Sequence, residues 1–244
     1  MDPLKQRITE YWTMRSDAFS DLRMRELSSH MRERWLTEFE RFVPLHEKKL
    51  RVLDLGTGTG FFAFLFTQAG HEAIGIDLTE SMIEKAKETA KQLKLDAEFF
   101  VMDAEYPDFD EESFDVLVTR NLTWTLPHLE SAYHEWYHLL KPGGVLINFD
   151  ADYANYADRT DPDDLPENHA HKGIPATLCA ENEEIAQEVA AYQQPRPQWD
   201  VQILLAAGFN EIRVDNGVWK RIYPEVDEFY NPTPIFTLAA YKAE

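Results

Sequence analysis

Cysteine is nearly absent from this chain. Cys179 is the only one in 244 residues, which excludes an internal disulfide and a multi-cysteine zinc site. Long apolar runs are missing too, since none approaches the ~20 residues that a membrane-spanning helix needs. The opening "MDPLKQRITEYW" lacks a basic segment followed by an apolar one, so no secretory signal is visible. A reducing, cytoplasmic setting without a membrane partner is the expectation. Basic side chains are scarce: 24 Lys and Arg face 44 Asp and Glu, for a formal charge of −20. Such a surface repels phosphate backbones unless a local basic patch compensates, which speaks against nucleic acid as a partner. The candidate patches are Arg15, Arg23, Arg25, Arg32 and Arg34, and the short "WKR" at Trp219–Arg221. The first group alternates with Asp17, Asp21, Glu26 and Glu33, the pattern of a salt-bridged solvent face.

What is present is enough for a substantial core, with 44% hydrophobic and 13% aromatic residues. Leu27, Met31, Trp35, Phe39 and Phe42, spaced by threes and fours, predict helices between Ile8 and Phe42. From Leu50 short apolar runs alternate with helical stretches. "LRVLDL", "HEAIGID", "AEFFVMD", "SFDVLVTR" and "VLINFDA" read as strands, and "GFFAFLFTQAG", "LTESMIEKAKETAKQL" and Leu126–Leu140 as helices between them. Thr79 or Ser81 is a candidate cap for the second helix, with Glu84 completing a capping box. This alternation predicts a parallel sheet with helices on both faces. After Asp152 the pattern breaks down into a segment rich in acidic residues and proline, out of which "ENEEIAQEVAAY" looks helical. Regular structure resumes with the helix "QWDVQILLAAG" and the strand "FNEIRVDN"; the alternating "TPIFTLAAYK" suits a final strand at a sheet edge.

The stretch "VLDLGTGTGFF", Val52–Phe62, carries the chemistry. A strand ends in Asp54–Leu55, three glycines (Gly56, Gly58, Gly60) turn the chain around Thr57, and a helix begins near Phe61. Glycines there allow positive φ and close approach of a ligand, and the helix start offers unpaired N–H groups. Asp77 closes the next strand, where an acid accepts hydrogen bonds from ribose hydroxyls, and Asp103 closes the third on the same rim. The G-x-G-x-G spacing departs from the G-x-G-x-x-G of dinucleotide sites. A carboxylate two residues before it suits a cationic ligand better than a diphosphate.

"VLDLGTGTGFF", "GIDLTESMIEKAK", "VMDAE", "SFDVLVTRNLTWTL" and "HLLKPGGVLINFD" resemble, in order and spacing, the successive motifs of class I S-adenosylmethionine-dependent methyltransferases. The resemblance spans roughly Leu50 to Asp150. It implies a Rossmann-like, seven-stranded, mostly parallel sheet with an antiparallel last strand, N-terminal helices and an inserted lid. It implies S-adenosyl-L-methionine as cofactor, with S-adenosyl-L-homocysteine as product. Asp54 and Gly56, Thr57, Gly58 and Gly60 would face its methionine portion and Asp77 its ribose. Asp103 and Ala104 would lie at the adenine, Leu78 and Met82 beside the cofactor, and Asn121 near the methyl group.

The resemblance implies methyl transfer by in-line displacement, in which positioning does most of the work. "RNLTW" at Arg120–Trp124 lacks the prolines of the N-P-P-Y type sequence used on exocyclic and amide nitrogens. A small-molecule acceptor therefore fits better than RNA or protein; a non-catalytic nucleoside-binding module is the remaining alternative. Asn121, Trp124 and His128 are the candidate catalytic residues. Tyr11, Trp12, Trp124, Tyr153 and Tyr156 are the candidate acceptor-binding residues. No metal is expected. "HAH" at His169–His171 with Cys179 matches no standard zinc spacing and reads as a solvated loop, and Arg120 stands where a metal-dependent site would want an acid. The expected organisation is one domain, monomeric or homodimeric: a helical cap (1–46), a cofactor core (47–151), a lid (152–197) and the C-terminal part of the sheet (198–244).

Overall fold

A computed structural model describes residues 2–155, 160–169 and 171–244. Two helices open the chain, α1 (Pro3–Leu27) and α2 (Met31–Glu40). The Asp2 side chain caps α1 by accepting from the Leu4 N–H at 2.9 Å. The alternating core follows as β1 (Arg51–Leu55), α3 (Phe61–Gln68), β2 (Glu72–Asp77), α4 (Glu80–Leu93), β3 (Glu98–Val101), β4 (Phe114–Arg120), α5 (Leu129–Leu139) and β5 (Leu140–Asp150). The remainder contributes α6 (Ala176–Glu188), α7 (Gln198–Ala207), β6 (Glu211–Asp215), α8 (Val218–Ile222) and β7 (Phe236–Tyr241).

The seven strands lie in the order β3-β2-β1-β4-β5-β7-β6. The first five are parallel, and β7 runs antiparallel to both β5 and β6. The last strand is therefore antiparallel as expected but not at the edge. Its Phe236–Tyr241 run is buried except for Tyr241, and the more polar β6 takes the edge instead. The capping box also fails. Thr79 holds the N-cap position of α4 without a side-chain cap bond, and its backbone N–H goes to Asp77.

Helices cover both faces of the sheet. Trp35 and Phe39 of α2, Phe62 and Phe66 of α3 and Phe149 of β5 pack edge-on or tilted with ring centroids 4.7–5.4 Å apart on one face. On the other, Tyr133 and Trp136 of α5 pack in a cluster with Leu204 of α7. Strand order reverses between β1 and β4, and in such sheets ligands sit at the carboxyl ends beside that reversal.

Candidate active site

The glycine loop lies at this reversal. Gly60 has φ +95°, and a Cβ there would lie 2.7 Å from the Phe64 ring, so any other residue would be strained and crowded. Gly58 has φ +54°, yet a Cβ there would meet nothing within 4 Å, leaving backbone bare toward open space. Asp54 holds the loop to the helix behind it: its Oδ2 accepts from Thr57 Oγ1 at 2.6 Å and from the Ala63 N–H at 3.0 Å. Both partners are neutral. Burial pushes the carboxyl up to about 7, only partly offset by those two bonds.

Asp77 accepts from the Gly58 N–H at 3.0 Å and the Thr79 N–H at 2.8 Å, and burial raises its pKa. On the third strand's rim, Asp103 pairs with Lys5 of α1 at 2.5 Å. Lys5 also lies 2.5 Å from the fully buried Glu105. Burial opposes the lysine's charge, but the two carboxylates outweigh it and raise its pKa.

Asn121 follows β4 with φ +54°, a left-handed conformation that asparagine tolerates better than most residues. Its N–H donates to Phe149 O at 2.8 Å, its Oδ1 accepts from the Tyr153 hydroxyl at 3.1 Å, and its carbonyl accepts from Trp124 Nε1 at 3.1 Å. The Trp124 and Tyr153 rings pack 5.0 Å apart. Three predicted residues, two after β4 and one after β5, are thus one unit. Burial lifts the Tyr153 phenol far above neutrality, so it serves as a donor and not as a base.

These groups face one cavity of about 510 Å³, within the roughly 300–1,000 Å³ usual for small-molecule sites. Asp54, Gly56, Thr57, Gly58, Asp77, Leu78, Met82, Asp103, Ala104 and Asn121 line it, as do Tyr11, Trp12, Trp124 and Tyr153. Gly60 sits behind the loop as the N-cap of α3 and does not. Nor does His128, which holds the N-cap position of α5, with its N–H donating to Glu105 at 2.6 Å and its half-exposed ring 3.7 Å from Asp2. Tyr156 falls outside the described residues.

Two expectations need correction. Arg15, Arg23 and Glu26 are not on a solvated face: Glu26 is fully buried, and Arg15 and Arg23 line the cavity. Within the "HAH" stretch the solvated reading fails at His169, while His171 is exposed. His169 is buried with Nε2 2.7 Å from Tyr230 O, and both histidines line the cavity. No grouping of three metal-ligating side chains occurs among the described residues. Among these residues too, no helix is long and apolar enough to cross a membrane. Sequence reasoning also missed Arg120 and Tyr223 as cavity residues. The only signal for Arg120 was a basic residue at the end of β4, where an acid had been looked for.

Comparison with known proteins agrees with this architecture. The arsenite methyltransferase of Halobacterium salinarum is 35% identical over 122 residues, covering 47% of this chain and 31% of that protein. A ubiquinone biosynthesis O-methyltransferase of Coxiella burnetii is 31% identical over 100 residues, covering 41% of this chain and 43% of its own length. The chain thus spans under half the length of either relative. The structure of Haemonchus contortus phosphoethanolamine N-methyltransferase 2 with S-adenosyl-L-methionine superposes with a TM-score of 0.60 at 21% identity, over 86% of this chain and 52% of that one. That likeness is one of fold. A family model described as a methyltransferase domain matches residues 46–229, from just ahead of β1 to beyond α8. With most of the sheet and the whole glycine loop inside that match, the chain belongs to the methyltransferase-domain family.

Proposed function

We propose that this chain binds S-adenosyl-L-methionine at the glycine loop and methylates a small-molecule acceptor in the adjoining part of the cavity. The observation that carries this reading is the convergence of Asp54, Gly58, Asp77, Asp103 and Asn121 on one cavity at the sheet's reversal, in a chain of this family. The residues fit the cofactor. The open space at Gly58 admits a ligand against the backbone, and Asp77 keeps lone pairs for ribose hydroxyls after its two backbone bonds. Asp54, buried with neutral partners, is completed by a cationic group such as an α-ammonium. Asp103 and Ala104, with Leu78 and Met82, border the adenosine end.

The cofactor supplies a methyl group already activated on a sulfonium. The protein's part is alignment: Asn121, fixed through Tyr153 and Trp124, borders the transfer point, and α1 with the described residues among 152–197 that line the cavity forms a lid that excludes water. The relatives' names describe arsenite, ubiquinone-precursor and phosphoethanolamine chemistry, which supports a small acceptor while leaving its accepting atom open. The reading extends to a cytoplasmic protein, monomeric or homodimeric. Calorimetry with S-adenosyl-L-homocysteine tests it; absence of binding by either cofactor form overturns it.

A further inference from the structure

Two guanidinium groups share one carboxylate on the wall of this cavity, outside the residues assigned to the cofactor above. Arg23 of α1 and Arg120 at the end of β4 both pair with Glu26, whose side chain is 0% exposed, while the arginines are 14% and 10% exposed. Arg120 Nη1 reaches Glu26 Oε1 at 3.0 Å, and Nη2 donates to the Tyr223 hydroxyl at 2.8 Å. Its Nε is buried and has no hydrogen-bond partner among the described residues. Arg23, Arg120 and Tyr223 line the cavity; Glu26 lies behind them, held also by Trp35 Nε1 at 3.0 Å.

Two positive groups against one directly paired carboxylate leave an excess of one buried positive charge, which Asp54, the buried carboxyl within reach of the Arg120 charge, offsets only in its ionised form. Among the described residues, Glu26 is the one carboxylate paired with either arginine. Tyr223 does not offset the charge, because burial raises its pKa and keeps the phenol neutral. The strain is visible in Arg23, whose pKa is lowered by burial and by the charge of Arg120. A buried, uncompensated charge is costly unless a partner arrives to neutralise it. The side that faces the cavity is where such a partner can enter. Planar guanidinium groups suit a carboxylate, which they can hold by paired N–H bonds. In a chain of charge −20, a basic wall inside the cavity is also a local exception that selects anions.

We propose that Arg23 and Arg120, with the Tyr223 hydroxyl, form the seat for a carboxylate of a bound ligand. The proposal rests on the methyltransferase reading and deepens it. Two ligands could bring that group: the cofactor, through its α-carboxylate, or the acceptor, which would then be an organic acid.

Arg23→Gln is the informative variant, because it leaves Glu26 and Arg120 as a one-to-one pair. Calorimetry with S-adenosyl-L-homocysteine and with 5′-methylthioadenosine, which lacks the amino-acid end, forms the first arm. If the cofactor supplies the carboxylate, Arg23→Gln weakens homocysteine-ligand binding at least tenfold and leaves methylthioadenosine binding unchanged. The second arm uses protein saturated with S-adenosyl-L-homocysteine and reads the thermal shift given by benzoate, phenylacetate and 4-hydroxybenzoate against their amides. If the acceptor supplies it, the acids stabilise the wild type, the amides do not, and Arg23→Gln abolishes the difference. The proposal is overturned if homocysteine-ligand affinity is the same in both proteins and no acid-over-amide preference depends on Arg23. Retained methylthioadenosine binding shows that the variant is folded. Should Arg23→Gln fail to fold, Arg120→Gln decides by the same readouts, since it removes the same excess charge and leaves Glu26 and Arg23 as a one-to-one pair. A wild type that binds neither adenosine ligand would instead overturn the methyltransferase reading itself.

Discussion

The Gly58 backbone N–H donates to Asp77 Oδ2 at 3.0 Å, fastening the middle of the glycine loop to the end of the neighbouring strand. Asp77 thereby shapes the loop and keeps acceptor capacity for a ligand. Asp77→Ala should weaken S-adenosyl-L-homocysteine binding by about 1.5–3 kcal/mol, the range for hydrogen bonds to a charged group. Asp77→Asn, which keeps one carbonyl oxygen, should lose less. Calorimetry on both variants checks this, and an unchanged affinity for Asp77→Ala would remove the residue from the site.

Asp54 predicts a pH dependence. Its carboxyl titrates at about 7 in the folded protein against an ordinary 3.8. A cationic ligand favours the ionised form, so binding should release a proton near neutrality. Below about pH 7, affinity should fall by up to roughly tenfold per pH unit. The stability effect has a definite sign. The folded state keeps a proton that the unfolded chain loses, so Asp54 makes the protein less stable as pH rises from about 3.8 to about 7. Asp54→Asn should abolish the proton release and flatten that part of the stability profile. Calorimetry in buffers of different ionisation enthalpy, with urea melts across the window, measures both.

Legibility followed the range of the interactions. The ends of β1 and β2 at Asp54 and Asp77 and the turn at Gly56–Gly60 could be read because turn and strand chemistry is local; β3 stops at Val101, two residues before the expected Asp103. Helix α1 was harder. Its buried set includes Lys5, Arg15 and Glu26, so no apolar stripe marks the inward face. Lys5 and Glu26 each have a partner far along the chain, at Asp103 and Arg120. His169 looked solvated because the Tyr230 carbonyl that receives it comes 61 residues later. The alternation in β7 identified a strand but could not reveal that β6 would pair outside it. His128 had the right position in sequence and the wrong direction, since its ring turns toward Asp2.

Lys5 fixes the start of α1 to the sheet's rim at Asp103 and Glu105. Replacing it by methionine leaves Glu105, with a side chain 0% exposed, without its cation. Breaking a buried pair on one side costs about 3–5 kcal/mol. Lys5→Met should therefore lower the unfolding free energy and speed amide exchange along the first turns of α1. Adding Glu105→Gln should recover much of the loss, because the uncompensated charge is gone. A double-mutant cycle by urea unfolding, with exchange measured on each protein, tests the coupling; additive losses would mean that the two residues act independently.

Arg196 is the pin beneath Trp124. Its guanidinium reaches Asp150 Oδ2 at 3.2 Å, Asp200 Oδ2 at 2.9 Å and Thr123 Oγ1 at 2.6 Å, with every carboxylate of the group fully buried. Asp150 Oδ2 in turn accepts the Trp124 N–H at 3.0 Å, so the tryptophan's backbone is set through this network. Arg196→Met would leave Asp150 and Asp200 buried without their cation, at a cost of about 3–5 kcal/mol near neutral pH. The penalty should depend on pH in a definite direction. Burial already raises the Asp150 pKa against the opposing pull of Arg196. Removing the arginine takes away that pull and raises the Asp150 carboxyl further, so the folded variant holds a proton that its unfolded chain releases above about pH 4. The stability gap between wild type and Arg196→Met should therefore be wide at pH 8 and narrow at pH 5. Urea unfolding of both proteins at the two pH values measures it. A gap that stays constant would mean that the loss comes from packing around the missing guanidinium and not from stranded carboxylates.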